Sequence, residues 1–397
     1  MKICLVSQEY PPETAGGIGT QTHLKAHGLA RRGHAVHVIS STYAGAGRVE
    51  RDGEVTVHRV LHPACESAFS EPSVHWVGYS WAVAKKLYEL LGAVKFDLIE
   101  FPEYAAEGFI YQLDAHRYRH VPILVMLHGS LRMFAERIGW PEAGSELAEF
   151  GGFMEEAVVA RADKLLAASG NIAEFWARRR GIPREEIDVL HTAVDAELFA
   201  PAPRRGPARP TVLFVGRVDG AKGVLAVADA VITLRAKYPE ILFRVVGAGD
   251  AENEGRLREK IAARGAGESF ELVGRVAHGE LPAYYAGCDV FASPAPEEHG
   301  VASVYLEALA SGRPVVACRS GGAPEAVLDG LNGRLVPPDD PEALAAALDQ
   351  LLGSRALRER LGAGGRRLVE DYFARDRFIE RVEKVYRQVI SGWQERH

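Results

Sequence analysis

Two cations stand five positions apart in Gly216-Arg217-Val218-Asp219-Gly220-Ala221-Lys222-Gly223, directly after an apolar run, Thr211 to Val215. Arg217 can fork onto phosphate oxygens and Lys222 can act as a compact point charge. Together with the N–H groups at the start of a following helix, the pair suits a departing diphosphate. One such cation reads as a solvated basic turn; two at one strand end favour an anion. A Walker loop is excluded, because the order G-x-x-x-x-G-K-[ST] is absent. Glu307 is unusual in another way. Its predicted helix, Gly300 to Ser311, is apolar almost all round: Val301, Val304, Tyr305, Leu306, Ala308, Leu309, Ala310. A poorly solvated carboxylate must find partners or take up a proton. It is either a core glutamate bonded to an amide or an arginine, or a ligand for the vicinal hydroxyls of a ribose. The amides of Gly300, Val301 and Ala302, at the start of that helix, suit the same phosphates as Arg217 and Lys222.

Three more strand ends carry notable residues. Gly16-Gly17-Ile18-Gly19 follows the first strand, where glycines allow close approach to a phosphate or sugar, or simply a tight turn. The spacing is not that of a dinucleotide fingerprint. His128-Gly129-Ser130 ends the strand Pro122 to Leu127. A lone histidine is more often structural, but this one is placed where doubly wound sheets bind ligands. Val246-Gly247-Ala248-Gly249-Asp250 reads as a turn rather than a contact. No Ser-His-Asp order, G-x-S-x-G or Asp-x-Asp occurs, and the 14 histidines form no H-E-x-x-H or other metal spacing.

Positioning these residues takes two α/β domains. Strand, glycine loop, helix and strand follow one another in Lys2 to Ser40, one βαβ unit of a parallel sheet. Strands are predicted at Val55 to Val60, Phe96 to Phe101, Pro122 to Leu127, Lys164 to Ala168 and Ile187 to Leu190, with helices at Trp76 to Leu91 and 145–161. Ala200 to Pro210 has four prolines and three arginines without periodicity, a linker composition. The alternation then restarts at Thr211. The predicted fold is two Rossmann-like doubly wound domains: 1–200, a linker at 201–210, and 211–375. A last helix near 376–397 carries Phe378, Val382, Val385, Tyr386 and Val389 on one stripe.

Composition narrows the class. With 397 residues, 47% hydrophobic and 25% charged, the chain suits two soluble domains. A net charge of −6 argues against nucleic acid as a bulk electrostatic partner. No apolar run is long enough to span a bilayer. The start, MKICLVSQEYPP, reads as a first strand rather than a signal peptide. Cys4, Cys65, Cys288 and Cys318 are scattered, so free thiols in a reducing cytoplasm are expected. Arg178-Arg179-Arg180 and the apolar residues of 130–150 could meet an inner membrane face or an acceptor, but read more readily as a packed helix with a solvated basic end.

Taken in order, PPETAGGIGTQTHLKAHGLARRGHAVHVIS, the HGS after a strand, GRVDGAKG, VGAGD, LVGRVAHGELPAYYAGCDVFASP, LEALASGRPVVA, GGAPEAV and NGRLVPP resemble the retaining GT-B glycosyltransferases of family 4 over nearly the whole chain. The resemblance implies a nucleoside-diphosphate sugar (UDP- or GDP-linked) held mainly by the second domain. It also implies an acceptor (glycan, lipid-linked or small molecule) at the first, and a last helix that crosses back to the first domain. It makes Arg217 and Lys222 the diphosphate pair, Glu307 the ribose ligand, Val276 the residue at the nucleobase, Gly16 and Gly17 the loop near the donor phosphates, and His128 the histidine at the transferred sugar. It implies front-face displacement with retention and no cofactor or metal, two cations and a helix dipole supplying the charge. One departure concerns the family's E-x7-E pattern, whose first glutamate falls on His299, with Glu297 and Glu298 just upstream. Either Glu298 shifts into that place or His299 does the job. HTAVD at 191–195 also departs from the usual asparagine-glycine-valine-aspartate. A nucleotide-sugar epimerase of the same fold and a non-catalytic sugar-binding protein are the competing expectations.

Overall fold

Continuous apolar runs such as Ile3-Cys4-Leu5-Val6 and Val212-Leu213-Phe214-Val215 can only be strands buried on both faces, as parallel sheets require. In the computed structural model each becomes the first strand of its own sheet. The structure describes residues 1–13, 16–65, 71–114, 121–203 and 209–396. Parts of the glycine loop (14–15) and of the linker (204–208), and the terminal residue 397, lie outside these.

The first sheet holds β1 (Lys2–Val6), β2 (Ala35–Thr42), β3 (Arg48–Asp52), β4 (Val55–Leu61), β5 (Leu98–Pro102), β6 (Ile123–Leu127), β7 (Lys164–Ala167) and β8 (Ile187–Val189). Its order is β3-β4-β2-β1-β5-β6-β7-β8, parallel except for the antiparallel β3–β4 hairpin. The second sheet holds β9 (Thr211–Val215), β10 (Leu242–Val246), β11 (Phe270–Gly274), β12 (Val290–Ala292), β13 (Val315–Cys318) and β14 (Gly333–Val336), in the order β11-β10-β9-β12-β13-β14, all parallel. The strand order reverses direction beside β1 in one sheet and beside β9 in the other. Ligands of such sheets bind beyond the strand ends at that reversal.

The chain divides into Met1–His191 with Asp376–His397, and Thr192–Arg375. The division falls ahead of the proline-rich stretch rather than inside it. The reason is local: Val194 donates its N–H to Phe373 and accepts from Arg375, Asp195 binds the Arg375 guanidinium at 2.7 Å, and Phe199 is buried against Tyr285. The last helix, Arg375–Gln394, packs on the first unit. Ile379 fits against Gly28, where a Cβ would meet Ile379 Cγ1 at 2.4 Å, and Tyr386 donates to buried Glu100, which also holds Lys25.

Two sequence expectations need correction. The 145–161 helix is a π-turn, Leu147–Gly151, followed by a helix over Gly152–Ala160, with Gly151 and Gly152 at the junction. The helix carrying Glu307 spans Ser303–Ala310, with Ala302 in extended conformation as its N-cap, so the Gly300 and Val301 amides precede it.

Candidate active site

Beyond the end of β9, the second unit folds its loops onto one another through glycine. Gly216 and Gly223 take positive φ, 151° and 76°. A Cβ on Gly223 would meet the Pro294 carbonyl at 2.3 Å, and one on Gly249 would meet the Val218 carbonyl at 2.2 Å. The Val246–Asp250 stretch therefore does more than turn: its glycines let the β10 loop lie against the cationic loop. Asp219 caps the 3₁₀ turn by accepting from the Lys222 N–H at 3.0 Å. Lys222 Nζ reaches Glu298 Oε2 at 2.9 Å, whereas Arg217 is 73% exposed, with Asp219 at 3.2 Å. The Glu298 carbonyl accepts from Gly322 N at 2.6 Å and sits 1.7 Å from where a Gly321 Cβ would be, so the turn after β13 walls the same place. Arg217, Lys222, Glu298, His299 and Gly300 thus belong to loops that leave adjacent strands, β9 and β12, at the order reversal.

Glu307 is 5% exposed, as its apolar helix requires, and it is satisfied. Buried Tyr285 donates to Oε2 at 2.8 Å, and His278 Nε2 lies 3.3 Å from Oε1. These partners are neither the amide nor the arginine expected from sequence. The hydrogen bond that His278 donates to Glu307 raises the pKa of His278 despite partial burial. The His278 side chain is 53% exposed, so one of Glu307's partners is replaceable by an incoming hydroxyl while Tyr285 stays. Val276 is half-buried against the same apolar cluster.

In the first unit the His128 loop hangs on a carboxylate that the sequence does not single out. Glu103, fully buried, accepts from His128 N and Gly129 N at 2.6 Å each and from Tyr104 N at 3.0 Å. Burial lifts its pKa to about 7, offset in part by those backbone bonds. Glu107 takes the Gln8 N–H on both oxygens at 2.9 Å and is raised to about 8 by burial and nearby Glu9. Glu155 accepts from Leu131 N at 2.8 Å, and Ser130 caps the helix Leu131–Ile138. Burial first, then the Lys25 charge, lowers His128 to about 3, so its imidazole is neutral at physiological pH. In the glycine loop, the Glu9 carboxylate lies 1.9 Å from where a Gly16 Cβ would be, so Glu9 packs directly over Gly16; beside Gly17 there is open space.

Sequence reasoning missed Glu103, Glu107, Tyr285 and His278. The signal for Glu103 was its place immediately after β5, beside the order reversal. The statement that no histidines share a metal spacing also needs amending, because His23 and His27 gather with Asp52 from the β3–β4 hairpin.

Fold and site together fit one class of enzyme, a glycosyltransferase with the two-sheet GT-B architecture. The chain belongs to glycosyltransferase family 4: residues 15–198 match that family's model and residues 209–354 match the glycosyl transferases group 1 model. It is 29% identical over 383 residues to the GDP-mannose-dependent alpha-(1-6)-phosphatidylinositol monomannoside mannosyltransferase of Mycolicibacterium smegmatis, covering 92% of each chain. It is also 29% identical over 336 residues to a D-inositol 3-phosphate glycosyltransferase of Streptomyces bingchenggensis, covering 80% of this chain and 71% of that one. Sucrose-phosphate synthase from Thermosynechococcus elongatus shares the fold, with a TM-score of 0.80 at 22% identity over 98% of this chain and 99% of that one. Among the described residues, no helix is long and apolar enough to cross a membrane.

Proposed function

We propose that the enzyme moves a hexose from a UDP- or GDP-sugar to an acceptor hydroxyl with retention of anomeric configuration, without a metal ion in the chemistry. The observation that carries this is the Lys222–Glu298 pair at 2.9 Å, on two loops that leave adjacent strands at the order reversal. A donor diphosphate takes the place of Glu298 on Lys222 and is forked by Arg217, while the free N–H groups opening the helix Ser303–Ala310 face the same anion. The ribose diol bonds to Glu307 in place of His278, the nucleobase lies at Val276, and Gly16 and Gly17 approach the donor phosphates. Neutral His128 serves a hydroxyl of the transferred sugar.

As the bond from the anomeric carbon to the phosphate oxygen breaks, the acceptor oxygen bonds to that carbon from the same face. The acceptor's proton passes to the departing phosphate oxygen. Arg217, Lys222 and the helix start stabilise the diphosphate's charge, the kind of term that dominates many enzyme rate enhancements. His299 holds the sequence position of the family's first glutamate, Glu298 is released beside it when the diphosphate takes Lys222, and one of these two selects the sugar. The Mycolicibacterium relative's name supports a GDP-linked donor and a lipid-borne acceptor. NMR of the product made from an α-linked donor should show an α linkage, with turnover insensitive to chelation. A β-linked product, or a chelation loss restored by Mg²⁺ or Mn²⁺, would overturn the reading.

A further inference from the structure

We infer that His23, His27 and Asp52 form a binding site for one divalent transition-metal ion of the zinc type, separate from the transfer chemistry. His23 and His27 lie four residues apart on the helix Gly17–Arg31, so both project from one face. Their rings are 4.3 Å apart between centroids. Asp52 closes β3 and is followed by Gly53, whose φ of 58° makes the tight hairpin turn that brings the carboxylate over that face. His27 Nε2 lies 2.8 Å and His23 Nε2 3.3 Å from the same oxygen, Asp52 Oδ2. One ligand atom from each residue falls within 4.8 Å of the others.

Zinc bonds of roughly 2.0–2.2 Å place neighbouring tetrahedral ligands about 3.3–3.5 Å apart, so modest adjustment around a common centre suffices. Two imidazole N–H groups converging on one oxygen crowd each other. A metal ion replaces both protons and accepts both nitrogens. Tyr10 donates to Asp52 at 3.0 Å, the outer-shell contact that orients ligating carboxylates. The side chains of His23, His27 and Asp52 are 39%, 28% and 37% exposed, so an ion can enter and a water can complete its coordination. Imidazole and carboxylate together suit zinc, and two nitrogens disfavour magnesium. The bound ion would tie the helix that follows Gly16 to the β3–β4 hairpin.

The test is titration of untagged, chelator-treated enzyme with Zn²⁺, followed by calorimetry and by elemental analysis after desalting. One ion per chain is expected. Affinity should fall in His27→Gln and Asp52→Asn by more than the ~10–100-fold that loss of an outer partner costs, and within that range in Tyr10→Phe. Zn²⁺ should raise the unfolding midpoint of the wild type only, and Mg²⁺ should not compete. Co²⁺ added to the unmodified enzyme should give the visible absorption of a tetrahedral nitrogen–oxygen site, an arm that needs no variant to fold. Absence of that absorption, no retained zinc, or equal binding by the variants would each overturn the site.

Discussion

In the proposed mechanism, Lys222 is the side chain on which the transfer chemistry turns. Removing it leaves Glu298 without its cation but disturbs no core packing, since both lie in surface loops. Lys222→Ala should therefore lower kcat by ~10²–10³, the cost of deleting one donor to a developing oxyanion, with an unchanged circular dichroism spectrum. Turnover within a few-fold of wild type would remove the diphosphate role. Glu307→Gln tests the ribose. Tyr285 can still donate to the amide oxygen, so the helix survives, but charge-assisted bonds to the diol, ~1.5–3 kcal/mol each, are lost. The donor KM should rise roughly 10–100-fold with a smaller change in kcat. An unaltered KM would return Glu307 to the core. Its oddity was legible in sequence because every neighbour in its helix is apolar. Its partners were not, because Tyr285 and His278 lie on separate elements, and nothing local marks Lys222 and Glu298, 76 positions apart, as a pair.

At the scale of elements, the sequence revealed what is periodic and hid what depends on edges and loops. The buried strands are short apolar runs and were readable. β3, Arg48–Asp52, has one apolar residue, is an exposed antiparallel edge, and was invisible. The helix 145–161 was readable as helical but not its interruption at Gly151-Gly152. The loop around His128 is held by buried carboxylates that the sequence does not single out, with a pH signature. Glu103 and Glu107 titrate near 7 and 8 in the folded chain against 4.5 when unfolded. Between those values the folded state binds more protons, so stability falls as pH rises through the window. His128, His58 and His62, lowered by burial to about 3, 4 and 4, act in the opposite sense as pH falls below about 7.5, where unfolded histidine begins to take up protons. Above about pH 7.5, past the titration of unfolded histidine, buried Glu103, Glu107 and Glu155, all raised by burial, act in one direction, and the first unit should lose stability as pH rises, each pKa unit being worth about 1.4 kcal/mol. Urea unfolding read by tryptophan fluorescence measures this unit selectively, because Trp76, Trp81, Trp140, Trp176 and Trp393 all belong to it. Glu107→Gln should flatten the slope, and a pH-independent midpoint would refute the buried, partly protonated pair.

For the whole molecule, the decisive fact is that the first unit is discontinuous. Its sheet is made by the first half of the chain and completed by the last helix. That helix buries Phe378, Ile379, Val382, Tyr386 and Val389, at ~1.5–3 kcal/mol for each large apolar side chain, and supplies the hydroxyl that satisfies Glu100 beside Lys25. Summed, those terms rival the ~5–15 kcal/mol that keeps an ordinary domain folded. Deleting Asp376–His397 should therefore abolish or sharply lower the tryptophan-reported transition. The second unit, Thr192–Arg375, keeps its own core and every side chain assigned to the nucleoside diphosphate. The truncated chain should then show one residual transition by circular dichroism, and UDP or GDP at a hundred times its Kd should stabilise it by ~2.7 kcal/mol. A milder change, Gly28→Ala, forces a methyl into Ile379 and should cost ~1–3 kcal/mol in the tryptophan transition alone. If deletion leaves that transition in place, the last helix is not part of the first unit's core. If the residual transition ignores both nucleotides, the diphosphate site needs more than the second unit provides.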